Sequence, residues 1–232
     1  MSHAVPLSPR ARRHDDSLRR ITHTAMRMIE KDGLEALSIN KLAAAVDYTP
    51  GALYRYFASR DALLATLVER VLADVRAAID EAIARLGPRA TPLGRAFAIV
   101  RGYCAFARRE PHRFGLLAVT MADPRVLLRE PDTVGPVALA SLGVMGTLAD
   151  ALRDGERAGQ LAPGDAAERT VCVFALVQGV LQLHKQARFA PLVSDVERLA
   201  TLGTRALLIG WGAGARAVDR ARERVAGTDG DA

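Results

Sequence analysis

Residues 38–57, SINKLAAAVDYTPGALYRYF, constrain the fold more than any other part of this chain. Apolar residues of the first half recur at spacings of three and four, which predicts a short helix from the capping residue Ser38 to about Asp47. A second helix is expected to begin at Thr49-Pro50, because Pro lacks an amide proton that the first helical position does not use. Two short helices joined by a tight turn are typical of a helix-turn-helix, which places its second helix in a DNA groove.

The predicted second helix has one buried side and one exposed side. At about 100° per residue, Leu53 and Phe57 lie within about 40° of each other, and we expect both to pack against the preceding helix. Arg55 then points about 180° away from that pair. The exposed side carries two small residues that let the backbone approach a groove and three side chains that can reach bases or phosphates: Gly51, Ala52, Tyr54, Arg55 and Tyr56.

Amphipathic segments on both sides of this motif complete a three-helix head. Upstream, apolar residues repeat on one face from about Asp15 to Gly33, where the helix is expected to end. Downstream, Ser59 is placed to cap a long helix that continues to about Leu86.

The run Gly51-Ala52-Leu53-Tyr54-Arg55-Tyr56-Phe57 matches the pattern Gly-x-Leu-Tyr-x-x-Phe. This pattern ends the DNA-binding head of the TetR/AcrR family of bacterial transcriptional repressors, which the chain resembles over about residues 15–75. Two positions depart from the family. Asp47 stands where the family usually has a turn Gly, and Asp tolerates left-handed backbone better than most residues. Pro50 occupies a position that is often basic, so one phosphate contact is missing.

The resemblance implies DNA contacts for the polar residues of the head. Those implied to touch the phosphate backbone are Ser38, Lys41, Thr49 and Arg60. Arg55 is implied as the base reader, since Arg pairs bidentately with guanine for about 1–3 kcal/mol of discrimination. Tyr54 and Tyr56 are implied to contact phosphates and thymine methyl groups. The alternatives are that Ser38 and Thr49 are caps only, that Tyr54 is a half-buried core aromatic, and that the Arg residues are solvated charges.

The positive charge is concentrated in the head. Residues 1–60 carry ten Lys and Arg against six Asp and Glu, a net charge of +4, whereas residues 61–232 carry 22 against 20, a net of +2. Residues 1–14 are expected to form a flexible basic arm in which Arg10, Arg12 and Arg13 follow phosphates or enter a minor groove. The alternative is a solubilising tail without a DNA contact.

The composition favours an all-α fold. Half of the 232 residues are apolar, and no stretch alternates convincingly at period two. Neither a signal peptide nor a transmembrane span is expected, because the most apolar stretch, residues 171–183, is short and interrupted by Gln178 and Gly179. We therefore expect a cytoplasmic protein. Cys104 and Cys172 fall in predicted helices, which favours buried reduced thiols over a disulfide, with a redox sensor as the alternative.

Residues 76–213 are expected to form a C-terminal helical bundle for ligand binding and dimerisation. Its predicted helices cover about residues 91–109, 112–121, 134–157, 165–189 and 194–210. The last of them opens with the capping box Ser194-x-x-Glu197. Residues 214–232 are expected to be a tail.

The last two long helices are apolar on nearly all sides, a surface that one monomer does not easily bury. Pairing with the same helices of a second copy covers this surface most simply, and it resembles the usual dimer of the family. A two-fold homodimer would place its reading helices in successive major grooves about 34–36 Å apart, on a palindromic operator.

The resemblance also implies a repressor that leaves DNA when a small molecule enters the helical bundle. Such a ligand must prefer the conformation whose heads no longer fit adjacent grooves. Candidates to line a largely apolar pocket are Phe97, Tyr103, Phe106, Phe114, Leu117, Met121, Met145, Phe174, Gln178 and His184. Ordinary core packing is the alternative for each of them. We expect no cofactor and no metal site, since the five His residues are scattered without ligand spacing.

Two other classes of protein account for less of the sequence. Residues 210–215, Gly-Trp-Gly-Ala-Gly-Ala, satisfy a permissive dinucleotide fingerprint, but a helical pattern precedes them where such an enzyme needs a strand. A helix end is the better interpretation, and we expect no enzyme. An architectural, nonspecific DNA-binding protein would keep the basic head but has no use for a large apolar second half.

Overall fold

The computed structural model describes residues 9–122 and 131–228. Within these ranges the chain forms ten α-helices, two short 3₁₀ helices and no strand, which confirms the all-α prediction. The α-helices are α1 (Pro9–Asp32), α2 (Ile39–Ala45), α3 (Pro50–Leu53), α4 (Arg60–Ala84), α5 (Pro92–Arg109), α6 (Pro111–Ala122), α7 (Pro131–Arg157), α8 (Ala166–His184), α9 (Val196–Gly210) and α10 (Ala215–Gly227). The 3₁₀ helices are Leu34–Ala36 and Pro191–Val193.

The described residues divide into two compact units. The N-terminal unit contains α1 to α3, the first half of α4, α6 and the start of α7. The C-terminal unit contains the rest of α4, α5, most of α7, and α8 to α10. The sequence placed α6 in the second domain, whereas the structure groups it with α1, where Nε of Arg113 lies 3.0 Å from Oε1 of Glu30.

The N-terminal unit has a continuous core that α1, α2, α3 and α4 share. Its fully buried side chains include Ile21, Leu42, Leu53, Leu64 and Leu67. The buried Thr22 of α1 accepts a hydrogen bond of 3.0 Å from Nη1 of Arg70 on α4. The three-helix head predicted from the apolar spacing is therefore present.

Several helices start at side-chain caps, including the predicted caps Ser38, Thr49 and Ser59. In four of them a side-chain hydroxyl accepts a backbone amide three residues ahead at 3.1–3.2 Å: Ser38, Thr49, Ser59 and Thr91. The predicted start of α9 was wrong by one residue. Asp195, not Ser194, is its cap, and Oδ1 accepts from the amide of Arg198 at 2.9 Å.

The first helix starts earlier than predicted. It begins at Pro9, so residues 9–14 of the expected flexible arm are helical, and the predicted start at Asp15 was wrong. Pro suits the first helical position, and no strong helix breaker lies between it and Asp15. Arg12 and Arg13 are exposed, while residues 1–8 and the side chain of Arg10 lie outside the described part of the chain.

The expected tail contains a tenth helix. α10 packs against α5 and α9, and it buries Val218, Ala221 and Val225, whose spacings of three and four form one narrow apolar stripe. Arg205 of α9 holds it through two hydrogen bonds to Asp219, of 2.7 and 3.0 Å. The prediction of a tail was therefore wrong for residues 215–227. The apolar stripe is narrow and stands among many Arg residues, so the sequence pattern did not indicate a packed helix.

The two cysteines lie in different environments. Cys104 is buried in α5, and desolvation raises the pKa of its thiol to about 12. Cys172 is exposed on α8, so the expectation that both thiols are buried was wrong for this residue. The two sites are on different helices, and both thiols are free.

Two helices of the described chain, α7 from Val134 onward and α8, are long and apolar enough to cross a membrane by length and composition alone. The sequence predicted no such segment. Fewer than a third of the residues in their most apolar stretches are buried. Core helices of soluble proteins meet the same criterion, so this feature is weak evidence of a span.

Candidate nucleic-acid interface and effector cavity

A tight turn connects α2 to α3. Asp47 has a φ of 57°, in the left-handed region, and the amide of Tyr48 donates to the carbonyl oxygen of Ala43 at 2.9 Å. The residue that stands in place of a turn Gly thus adopts the conformation that Gly would supply. The sequence expectation that Asp tolerates this position is confirmed.

The recognition segment, defined as residues 49–57, is less regular than predicted. Thr49 caps α3, Pro50 is its first residue, and α3 ends at Leu53 after one helical turn. Beyond it, backbone bonds to residues three or four positions earlier continue to Phe57, such as Tyr56 N to Leu53 O at 2.9 Å. The segment therefore keeps a helical course, but only its first turn is an α-helix.

The two sides of the recognition segment are oriented as expected. Leu53 and Phe57 are 0% and 3% exposed, whereas Arg55 is exposed on the opposite side. Tyr54 is 53% exposed, which excludes the alternative of a half-buried core aromatic. Gly51 is also exposed, while Ala52 and Tyr56 are half-buried.

The cations of this surface are available to a ligand. Among the described residues, Lys41, Arg55 and Arg60 have no ion-pair partner. The hydroxyls of Ser38 and Thr49 act as caps by accepting backbone amides. A hydroxyl that accepts one bond still has a proton to donate, so capping leaves both able to bind a phosphate oxygen.

Three aromatic rings stack beside the recognition segment. The Tyr56 ring lies 4.9 Å from the His14 ring and 6.0 Å from the Tyr48 ring, with interplanar angles of 14° and 16°. The Tyr48 hydroxyl donates to Oγ of Ser17 at 3.1 Å, and the pKa of Tyr48 is lowered by this bond and, next, by a bond to Tyr56. We call His14, Tyr56 and Tyr48 the ring stack.

Of the ring stack, only Tyr56 was among the residues predicted to form the site. His14 and Tyr48 are 34 residues apart in the chain, and no local spacing connects them. An aromatic residue directly before the Thr49 cap was the one available signal.

A small apolar cavity in the C-terminal unit contains three of the predicted effector residues. Tyr103, Met145 and Phe174 line it together with aliphatic residues of α4, α5, α7 and α8, and its volume is about 20 Å³. The rings of Tyr103 and Phe174 meet edge to face at 5.1 Å. Burial raises the pKa of Tyr103, so its phenol is neutral.

Six of the other predicted effector residues, all of them described, do not line this cavity. Phe97 and Phe106 are buried elsewhere along α5, and Phe114 and Leu117 are buried in the N-terminal unit. Gln178 is half-buried on α8, and the side chain of Met121 lies outside the described residues. His184 is exposed and lines a different, open cleft of about 1100 Å³.

That open cleft is bounded by α5, α9, α10 and the end of α8. Its charges are largely paired, since Glu197 lies 2.9 Å from Nε of Arg101 and 3.7 Å from Nη1 of Arg108. Cys104 forms part of its wall. Sequence spacing gave no indication of this cleft, because α10 forms one of its sides.

Apolar side chains are exposed on α8 and α9. Val171, Leu183 and Leu202 are 55%, 51% and 52% exposed. Gly203 of α9 is closely approached by Leu176 of α8, and any added Cβ would overlap that side chain. The two helices thus pack tightly against each other while leaving an outer apolar face uncovered.

Two family models match the chain. The model of bacterial regulatory proteins of the tetR family matches residues 21–67, and that of the tetracyclin repressor-like C-terminal domain matches residues 96–207. Head and bundle together define a DNA-binding transcriptional regulator. The chain belongs to the TetR family.

Solved structures share the same fold. A protein of unknown function from Rhodococcus sp. RHA1 is 22% identical, with 84% of this chain and 95% of that chain covered and a TM-score of 0.69. RolR in complex with resorcinol is 17% identical over 93% and 95% of the chains, with a TM-score of 0.64. The TetR family regulator PfmR from Thermus thermophilus is 20% identical over 82% and 97%, with a TM-score of 0.57. Comparison with curated proteins gave no match.

The segment that resembled a dinucleotide fingerprint joins two helices. Gly210 is the last residue of α9, Trp211 caps that helix, and α10 begins at Ala215. Gly212 has a φ of 91°, and a Cβ there would lie 3.1 Å from the Cβ of Ala162. The interpretation as a helix end is confirmed, and these glycines serve the connection to α10.

Proposed function

We propose that the protein is a homodimeric, sequence-specific repressor that binds a palindromic operator and is released by a small molecule. In this proposal residues 15–75 bind DNA and residues 76–213 bind the effector and form the dimer. The observation that carries it is Arg55, an exposed and unpaired cation opposite the buried Leu53 and Phe57. In a major groove this arrangement directs the guanidinium to base edges.

The remaining contacts would hold the head on the DNA backbone. Lys41 and Arg60 supply charge, Ser38 and Thr49 supply hydroxyl protons, and Tyr54 supplies a phenol that is already exposed. The exposed Gly51 and the small Ala52 leave room for close approach to the groove. Such phosphate contacts set the register, and their strength falls with added salt.

A second copy of the chain is the proposed cover for the exposed apolar residues of α8 and α9. A stable protein interface buries about 800 Å² on each partner, usually with an apolar centre, and two adjoining apolar helices provide such a centre. This assignment also accounts for the apolar character of α8 without a membrane. We therefore propose a cytoplasmic protein.

The proposed effector site is the cavity at Tyr103, Met145 and Phe174. At about 20 Å³ it holds about one water molecule, whereas ligand pockets usually occupy about 300–1,000 Å³. A ligand would therefore have to select a more open conformation, which is what a releasing signal requires. Resorcinol, bound by the neighbour RolR, is a small aromatic molecule and supports a ligand of this size class.

Selection of binding sites from random duplex DNA with the full-length protein tests this proposal. We expect a single inverted repeat whose half-site centres are separated by about one helical turn, or about 34–36 Å. Broad enrichment without a repeat would contradict specific binding and favour an architectural DNA-binding protein.

A further inference from the structure

We propose that His14 is a positioning residue for DNA recognition, which acts through the ring stack to hold Arg55 in its reading orientation. His14 lies on α1, before the residues matched by the family model of the head. The inference deepens the proposed function, and it rests on sequence-specific binding.

The recognition segment needs support from outside itself. Its only α-helical turn is four residues long, and a helix of this length has no stability of its own. Leu53 and Phe57 anchor one side in the core, but they leave the outer side, which carries Arg55, without a buried contact. A contact to the neighbouring Tyr56 is therefore placed to limit rotation of this outer side.

The ring stack supplies that contact. Ring centroids 4.9 and 6.0 Å apart, with planes within 16° of parallel, lie in the range of offset-stacked aromatic pairs. Tyr56 is thereby held to His14 of α1 and to Tyr48 of the turn. Because Arg55 precedes Tyr56 in the chain, a fixed Tyr56 restricts the direction that Arg55 can take.

Helix α1 anchors the other end of the ring stack. Ser17 accepts the Tyr48 hydroxyl at 3.1 Å, and the Arg20 guanidinium lies 5.2 Å from the centre of the Tyr48 ring. Nη2 of Arg20 also donates to the carbonyl oxygen of Val46 at 3.0 Å. His14, Ser17 and Arg20 are spaced by three residues and therefore lie on one face of α1. From this face they contact the recognition segment and the connection between α2 and α3.

The exposure of His14 separates this role from a role in folding. Its ring is at the solvent-exposed end of the stack, whereas the core of the head is complete without it. Loss of the ring is therefore expected to change the order of the recognition segment and leave the rest of the head intact. The competing explanation is that His14 touches a DNA phosphate directly.

Three variants of the full-length protein distinguish these explanations. His14→Ala removes the ring, His14→Phe keeps an aromatic ring without a hydrogen-bonding group, and His23→Ala changes another exposed histidine of α1 as a control. Each is measured for its Kd on the selected operator and on random duplex DNA of equal length, at one salt concentration.

We expect His14→Ala to weaken operator binding about three- to tenfold per subunit, on the scale of one stacked pair, with binding to random DNA nearly unchanged. His14→Phe and His23→Ala should stay within about twofold of the wild type. Equal losses for Ala and Phe would overturn the proposal in favour of a direct DNA contact. An unchanged His14→Ala protein would show that the stack does not position Arg55.

Hydrogen exchange of the free protein provides a readout that does not depend on DNA specificity. We expect the amides of Arg55, Tyr56 and Phe57 to exchange several-fold faster in His14→Ala and at the wild-type rate in His14→Phe. If the wild type bound all DNA alike, the proposed function would fail while exchange still reported on the stack. Unchanged exchange in His14→Ala would reject the positioning role even for a specific DNA-binding protein.

Discussion

The head and the C-terminal unit differ in what they leave on their surfaces. Among described residues up to Val71, Tyr54 is the single large hydrophobic side chain that is exposed, and it lies in the recognition segment. The C-terminal unit exposes several, among them Val171, Leu183 and Leu202. The head thus buries its large apolar side chains apart from Tyr54, whereas the C-terminal unit leaves an apolar surface uncovered.

The largest expected effect concerns where the C-terminal unit ends. Val218 of α10 is fully buried, so Val218→Asp places an unpaired charge in the core and should cost about 3–5 kcal/mol of unfolding free energy. Arg220→Asp on the exposed side of the same helix should cost less than about 0.5 kcal/mol. Denaturant unfolding of both variants measures the difference, and equal stability would mean that α10 is no part of this core.

The apolar face of α8 and α9 provides the next test. Leu202→Asp should convert a dimer into a monomer without loss of helical content, and should reduce operator affinity about a hundredfold or more, because two linked heads bind far better than one. Arg216→Asp, at an exposed position of α10, serves as the control. Mass measurement at micromolar concentration gives the oligomeric state of each variant, and a monomeric wild type would contradict the proposed dimer.

Thr49 allows capping and phosphate binding to be separated in the head. Thr49→Ala should lose about 1 kcal/mol of stability, whereas Thr49→Asp retains a capping oxygen and should preserve stability. The added carboxylate should nevertheless weaken binding to all DNA, since it would face phosphates. Thermal unfolding would measure the capping contribution of each variant, and binding to random DNA would measure its phosphate contact. Unchanged DNA binding by Thr49→Asp would leave Thr49 as a cap alone.

The smallest expected effect is the pH dependence of α10. Hydrogen bonds from Arg205 lower the pKa of Asp219 below its usual value of 3.8. The resulting stabilisation is fully present above that value, and it is lost as the pH falls through the lowered pKa of the folded state. Asp219→Asn should therefore reduce the acid dependence of thermal unfolding below about pH 4. If the acid dependence of thermal unfolding were the same in Asp219→Asn and in the wild type, this half-buried pair would contribute nothing to stability.

Local sequence signals were sufficient for the head. Ser38, Thr49 and Ser59 mark helix starts through contacts only three residues away, and the opposite orientations of Phe57 and Arg55 follow from helical geometry. Each of these features depends on residues close in the chain, so it could be predicted from the spacing in the sequence. The short length of α3 was not predicted, because the pattern of buried residues is nearly the same for an α-helix and for looser helical turns.

Features that depend on distant contacts could not be predicted. His14 reaches Tyr56 only because α1 begins at Pro9 and lies beside the turn. Tyr103 and Phe174 border the cavity while Phe97 does not, although all three are apolar residues of predicted helices. The packing of the other helices decides which face of a buried helix borders a cavity. The apolar pattern of a single helix carries no information about that packing.

The most direct test of the account is the effect of Arg55→Ala on the ratio of operator binding to random-DNA binding. If Arg55 reads bases, this ratio falls about 5- to 150-fold per half-site, the range for loss of one bidentate base contact, while binding to random DNA changes little. Arg27→Ala, at another exposed arginine of the head, should leave the ratio unchanged. An equal loss of affinity for operator and random DNA would contradict base reading by the recognition segment.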